Sequence, residues 1–240
     1  MTDRPDTRAV LFDIDSTLLV TGGAGAAAWQ RAFEELHGVD SKVDEHTEAG
    51  MTDPEIAAII FREVIGREGS QAERSRVIAA YLRHLPDTVA ESRGYRVMPG
   101  VEELLPALVE KGLLLGLVTG NIEAAAQIKL ARGNLNCFFT FGGYGSDSAD
   151  RTEVTKAALC RGELVSGGSI EDGACIAVGD TPRDVIAGHG AGIEVVGVAT
   201  GRYTVDELRD AGADFALQSL EEGLPPDALS PDASGPGRSR

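Results

Sequence analysis

Apolar positions fall in short, nearly unbroken runs along this chain: "AVLFDID" at 9–15, "LLLGLVTGN" at 113–121, "CFFTFGG" at 137–143, "ACIAVGD" at 174–180 and "EVVGVAT" at 194–200. Each run gives way to Gly, Asp, Thr or Asn and then to a segment with apolar residues at helical spacing. That alternation predicts strands of a parallel sheet joined by crossover helices. Continuous rather than alternating apolarity predicts strands covered on both faces. In such sheets ligands gather at the carboxyl ends of strands, where the polar residues of this chain also lie.

Between Ala24 and about Arg93 the strand pattern stops. "AAAWQRAFEELHG", "DPEIAAIIFREVIG" and "QAERSRVIAAYLRHL" repeat apolar residues at helical spacing instead. Gly22 and Gly23 precede this insert, and Gly94, Pro99 and Gly100 follow it, so both junctions hold residues suited to unusual dihedrals. The expectation is an α/β protein with a Rossmann-like parallel sheet core, residues 1–20 and 95–221, interrupted by an all-helical domain, residues 21–94, hinged as a lid. From 222 to 240 the chain is rich in Pro, Gly, Ser and Asp and poor in large apolar side chains, which predicts a disordered tail.

Composition narrows the function. The 240 residues hold 22 Lys and Arg against 38 Asp and Glu, a formal net charge of −16. Nucleic-acid binding through a basic surface is not expected. No apolar run is long enough to span a bilayer and the N-terminus has no signal-peptide pattern, so the expected location is the cytoplasm. Cys137, Cys160 and Cys175 are odd in number and widely spaced, which argues against a disulfide framework or structural zinc and reads as small core hydrophobes. An acidic chain binds an anion only where a metal ion or local cation reverses the field.

The strand ends supply that condition. Asp13 and Asp15 are two apart, so in extended chain they point to one side, roughly 7 Å apart along the strand. "AVGDTPRD" adds Asp180 and Asp184, the latter also suited to cap the next helix. As many as four carboxylates in one cleft would raise each other's pKa unless a cation lies among them. Oxygen ligands without nearby His or Cys favour Mg²⁺. The third strand end, "LVTGN", offers the Thr119 hydroxyl, close backbone approach at Gly120 and the Asn121 amide beside a helix N-terminus, a set suited to phosphate oxygens and, for Asn121, to N-capping.

Together these segments resemble the haloacid dehalogenase superfamily. Its first motif, Asp-x-Asp-x-Thr, is matched by Asp13-Ile-Asp15-Ser16-Thr17, its second by Thr119, and its fourth, Gly-Asp-x-x-x-Asp, by Gly179, Asp180 and Asp184. The matches span about 170 residues in the right order. The helical insert looks like the family's first-type cap, as in phosphoglycolate phosphatases and beta-phosphoglucomutases, as do "TLLVTGGAG", "GMTDPEI" and "MPGVEELLPAL". The third-motif cation is assigned first to Arg151, with Lys156 and Lys129 behind it. Ser16 departs from the Gly frequent in this subgroup.

The resemblance implies a phosphatase. Asp13 would be the nucleophile, giving an aspartyl phosphate, and Asp15 the general acid and base, its backbone carbonyl also binding Mg²⁺. Asp13, Asp15, Asp180 and Asp184 would form the metal site; Thr119, Gly120, Asn121 and Arg151 would hold the phosphoryl oxygens. Family dehalogenases and phosphonatases lack Asp at the position of Asp15, so phosphate esters are the expected substrates, a phosphoglycolate-like or sugar phosphate metabolite. A phosphosugar mutase and a receiver-like module phosphorylated on Asp13 are the alternatives. The insert's Arg31, His46, Arg62 and His84 read as surface or interface groups, so no substrate-selecting residue is named there, and both monomer and homodimer stay open.

Overall fold

The computed structural model describes residues 9–168, 170 and 175–229. Six strands, β1 (Ala9–Phe12), β4 (Leu114–Thr119), β5 (Phe141–Tyr144), β6 (Cys175–Gly179), β7 (Glu194–Val198) and β8 (Phe215–Leu217), form one parallel sheet in the order β5-β4-β1-β6-β7-β8. The short β2 (Leu19–Val20) and β3 (Arg96–Val97) pair antiparallel beside it. The helices in chain order are α1 (Ala24–His37), α2 (Val43–His46), α3 (Asp53–Ile60), α4 (Gln71–Glu91), α5 (Val101–Glu110), α6 (Glu123–Arg132), α7 (Arg151–Ser166), α8 (Pro182–Gly190) and α9 (Val205–Asp210).

The sheet is covered on both faces, as unbroken apolarity requires. Within β1, Val10 and Phe12 join a cluster with Leu105, Leu117, Leu130 and Val178, while Ala9 and Leu11 join the opposite one with Phe141, Val154 and Val195. Each fully buried Leu, Val or Phe contributes about 1.5–3 kcal/mol relative to exposure. The insert has its own core: Trp29, Phe33, Phe61, Tyr81 and Leu85 pack together, with Trp29 and Tyr81 stacked at 4.2 Å between ring centroids. Ile122 and Ala125 belong to this cluster too, so α6 of the sheet layer is the floor on which the insert sits.

Strand order places the site. The chain leaves β1 toward β4 and β5 on one side and toward β6, β7 and β8 on the other, so the strand order reverses at β1. Phe12 is in register with both Leu117 and Val178, which brings the residues after those three strands to one edge. Gly22 and Gly94, the two junction glycines, pass so closely that a Cβ on Gly22 would lie 2.4 Å from the Gly94 carbonyl carbon. Gly22 also takes φ +61°, and Ser92 Oγ donates to the Thr21 carbonyl at 2.7 Å across the same crossing.

Three expectations are corrected. The run "CFFTFGG" is a strand only from Phe141; Asn136–Phe138 is a 3-10 turn, and Cys137 and Cys160 are exposed, leaving Cys175 as the buried thiol. The tail expected from 222 is ordered through Leu229: Leu224 and Ala228 anchor a Pro-rich stretch against the core, with a 3-10 turn at Pro226–Leu229. Residues 230–240 lie outside the described residues. Strand β8 carries too few apolar residues to stand out in sequence. No helix among the described residues is long and apolar enough to cross a membrane.

Candidate active site

Asp13 lies one step past β1, buried, its N–H donating to the Val178 carbonyl at 2.9 Å. The chain then turns back sharply. Ser16 adopts φ +68°, the left-handed region where Gly is favoured, and its N–H donates to the Leu19 carbonyl at 2.8 Å. The departure from Gly is thus held by a local hydrogen bond and by Thr200 Oγ1 donating to the Ser16 carbonyl at 2.7 Å.

Asp180 ends β6 on the neighbouring strand, accepting from Thr17 Oγ1 at 3.3 Å. Thr181 and Asp184 form a reciprocal capping box at the start of α8. Asp184 does two jobs at once, because one carboxylate oxygen caps the helix while the other receives Arg151 Nη2. Carboxylate oxygens of Asp13, Asp180 and Asp184 lie within 4.8 Å of one another, all three buried. Burial pushes Asp13 up to about 7, with Asp184 adding to the rise and Arg151 opposing it, and pushes Asp180 up to about 9, with Asp13 and Asp184 adding. The donor set is all oxygen and strongly self-repelling, and therefore fits a hard divalent cation such as Mg²⁺.

Two cations stand around this cluster. Arg151, the first residue of α7, is buried, its Nη2 also donating to Asp13 Oδ1 at 3.3 Å; its Nε has no partner among the described residues. Lys129, on α6, is as deeply buried; its Nζ donates to Asp15 at 2.7 and 2.9 Å and to Asn121 Oδ1 at 2.6 Å. Asn121 Nδ2 donates in turn to Asp15 Oδ2 at 2.7 Å and to Thr119 Oγ1 at 2.8 Å. Asn121 is not the cap of α6: Ile122 takes that position, and the Asn121 side chain is drawn into the Thr119–Asp15–Lys129 network. Lys156 points away, exposed and paired with Glu153 at 2.9 Å, because five residues along α7 put it on the other face from Arg151.

The insert closes over this edge. Asp53 N–H donates to the Gly120 carbonyl at 2.8 Å, and Ile122 N–H donates to Asp53 Oδ2 at 2.8 Å. Gly120 permits the approach, since a Cβ there would sit 2.3 Å from the Met51 carbonyl oxygen. Burial raises the Asp53 carboxyl to about 6 against the opposing pull of Lys129. Between insert and strand ends lies a cavity of about 260 Å³ reached by Asp13, Asp15, Thr119, Asn121, Lys129, Arg151 and Asp180. Asp53 and the Met51 backbone are the contributors that the sequence did not single out, "GMTDPEI" being their only trace, while Thr17 is the last residue of the first motif and its hydroxyl goes to Asp180.

Comparison with known proteins decides the family. The haloacid dehalogenase-like hydrolase family matches residues 10–198. This chain belongs to that family. Phosphoglycolate phosphatase of Synechococcus elongatus is 26% identical over 218 residues, covering 90% of this chain and 95% of that protein. Phosphonoacetaldehyde hydrolase of Bordetella pertussis is 30% identical over 193 residues, covering 75% of this chain and 68% of that protein. Among solved structures, CbbY from Rhodobacter sphaeroides in complex with phosphate superimposes with a TM-score of 0.71 at 21% identity, over 90% of this chain and 96% of that one. At that identity the likeness speaks for the fold, which is the expected α/β one. The chain is an enzyme, a hydrolase, and the expected class of phosphatase agrees with the first of these relatives. A receiver-like module does not account for the helical insert over the strand ends.

Proposed function

We propose that this hydrolase splits small phosphomonoesters, of the phosphoglycolate or sugar phosphate class, by phosphoryl transfer to Asp13. The observation that carries the reading is the meeting of Asp13, Asp180 and Asp184 with Arg151 in one buried cluster, with Asp15 beside it. Asp13, the Asp15 backbone carbonyl, Asp180 and Asp184 would hold Mg²⁺, which when bound neutralises the cluster and polarises the phosphoryl group. The similarity to phosphonoacetaldehyde hydrolase is weighed against Asp15, a proton donor that phosphate-ester cleavage uses.

In the first step an Asp13 carboxylate oxygen attacks phosphorus, the ester P–O bond breaks, and Asp15 delivers a proton to the departing alkoxide. Arg151 and Thr119 steady the equatorial oxygens as charge spreads over them. In the second, Asp15 takes a proton from water as that water attacks phosphorus, releasing phosphate and restoring Asp13. Lys129 and Asn121 aim the Asp15 carboxylate throughout. The insert acts as the cap that excludes bulk water. Three free thiols and a small-metabolite substrate suit a cytoplasmic place of work.

Phosphate release from p-nitrophenyl phosphate with Mg²⁺ tests this. Activity is expected to vanish with chelator and to fall by more than about 10³-fold in Asp13→Asn, with the circular dichroism unchanged. Bisphosphate-primed interconversion of hexose monophosphates without net phosphate release would replace the phosphatase by a mutase.

A further inference from the structure

The cavity's cations already have carboxylate partners. Among the described residues that line it, Lys129 and Arg151 are the cationic ones. Lys129 directs its three N–H groups to Asp15 and Asn121. Arg151 is held by Asp13 and Asp184, and on the proposed mechanism it serves the phosphoryl oxygens.

The insert's wall has the opposite character. It presents Asp44, Glu48 and Asp53 together with Trp29, Met51 and Ile56. None of the insert's basic side chains lines the cavity, and several are paired at the insert's surface: Arg31 with Glu91, Arg62 with Glu63, Lys42 with Glu45, and Arg83 and His84 with Glu35. Arg183 of α8, which lies against Gly50 of the cavity wall, is already shared between Glu48 at 3.4 Å and Glu55 at 3.8 Å. A carboxylate or second phosphate on the leaving group would therefore face like charges on that wall and meet no cation among the described lining residues other than Lys129 and Arg151.

We infer that the alcohol released by this enzyme carries no negative charge: the leaving-group half of the substrate is a neutral hydroxylated or an amine-bearing alcohol. The inference rests on the phosphatase reading and narrows it, away from the carboxylate that the name of the Synechococcus relative would suggest.

Size-matched esters test it on the full-length Mg²⁺-loaded enzyme: 2-hydroxyethyl phosphate and ethanolamine phosphate against 2-phosphoglycolate, and glycerol 3-phosphate against 3-phosphoglycerate. The uncharged or cationic member is expected to show kcat/KM at least about tenfold higher in each set. Asp44→Asn combined with Glu48→Gln is expected to raise the anionic members severalfold relative to the uncharged ones and to lower ethanolamine phosphate. Equal or better turnover of the anionic member, no discrimination in either set, absence of turnover of every ester in both sets, or a ratio that the double variant does not move overturns the inference. Failure of the phosphatase reading looks different, because p-nitrophenyl phosphate would then also release no phosphate.

Discussion

The two walls of the cavity are built on different principles. The core wall draws its groups from the ends of hydrogen-bonded parallel strands, where β4, β1 and β6 fix Thr119, Asp13 and Asp180 within one register. The insert wall draws its groups from loops and helix starts, joined to the core at Asp53, Gly120 and Ile122. Rigid placement suits groups that meet developing charge, where small displacements are costly. A docked wall suits a surface that must admit and release substrate.

The difference can be sharpened from the core side first. Lys129→Met removes the ammonium that aims Asp15 and leaves Asn121 as its holder. The expected loss in kcat is about 10²-fold for an alkyl phosphate, whose departing oxygen needs a proton, and much less for p-nitrophenyl phosphate, whose does not. A uniform loss for both esters would reduce Lys129 to a structural role.

A middle-sized effect is expected at the seam. Gly120→Ala puts a methyl group against the Met51 carbonyl and Arg151, so the insert has to back away. Overpacking of this kind costs about 1–3 kcal/mol. KM is expected to rise more than kcat falls, by steady-state kinetics, because the strand-end groups stay in place.

The smallest effect belongs to the insert alone. Asp53 has a carboxyl raised to about 6 by burial, above its unfolded value of 3.8. The folded chain thus keeps a proton that the unfolded chain has already lost. Its contribution to stability is present below about pH 4 and is lost as pH rises to about 6. Asp53→Asn keeps an acceptor for the Ile122 N–H and removes the titration. The difference between variant and wild-type melting temperatures is expected to shift in favour of the variant between pH 4 and pH 8, by an equivalent of about 2 kcal/mol. A difference that does not change with pH would show that Asp53 is not protonated on folding.

The core wall was also the part readable from sequence. Continuous apolar runs ending in Asp, Thr or Gly-Asp announce both a strand and its functional end, so Asp13, Thr119 and Asp180 could be grouped before any coordinates. Lys129 was harder, since helix periodicity gives a face but not what that face meets; two turns after Asn121 it returns to the same pocket. Asp53 looked like any first-turn acid, because nothing local says that Gly120 leaves room for the chain to press against it. The ordered stretch through Leu229 was misjudged because two small anchors, Leu224 and Ala228, outweigh a composition typical of free chain.

The central position of β1 has a consequence for how the enzyme is made. Its partners on either side are β4 and β6, distant in the chain, and the groups that complete the cluster end at Asp184. During synthesis the insert's helices are finished early, while the strand that carries Asp13 waits for hydrogen bonds from β4 and β6, which are not yet translated. The acidic cluster is therefore completed late: a chain ending before β6 holds Asp13 without Asp180 and Asp184 beside it.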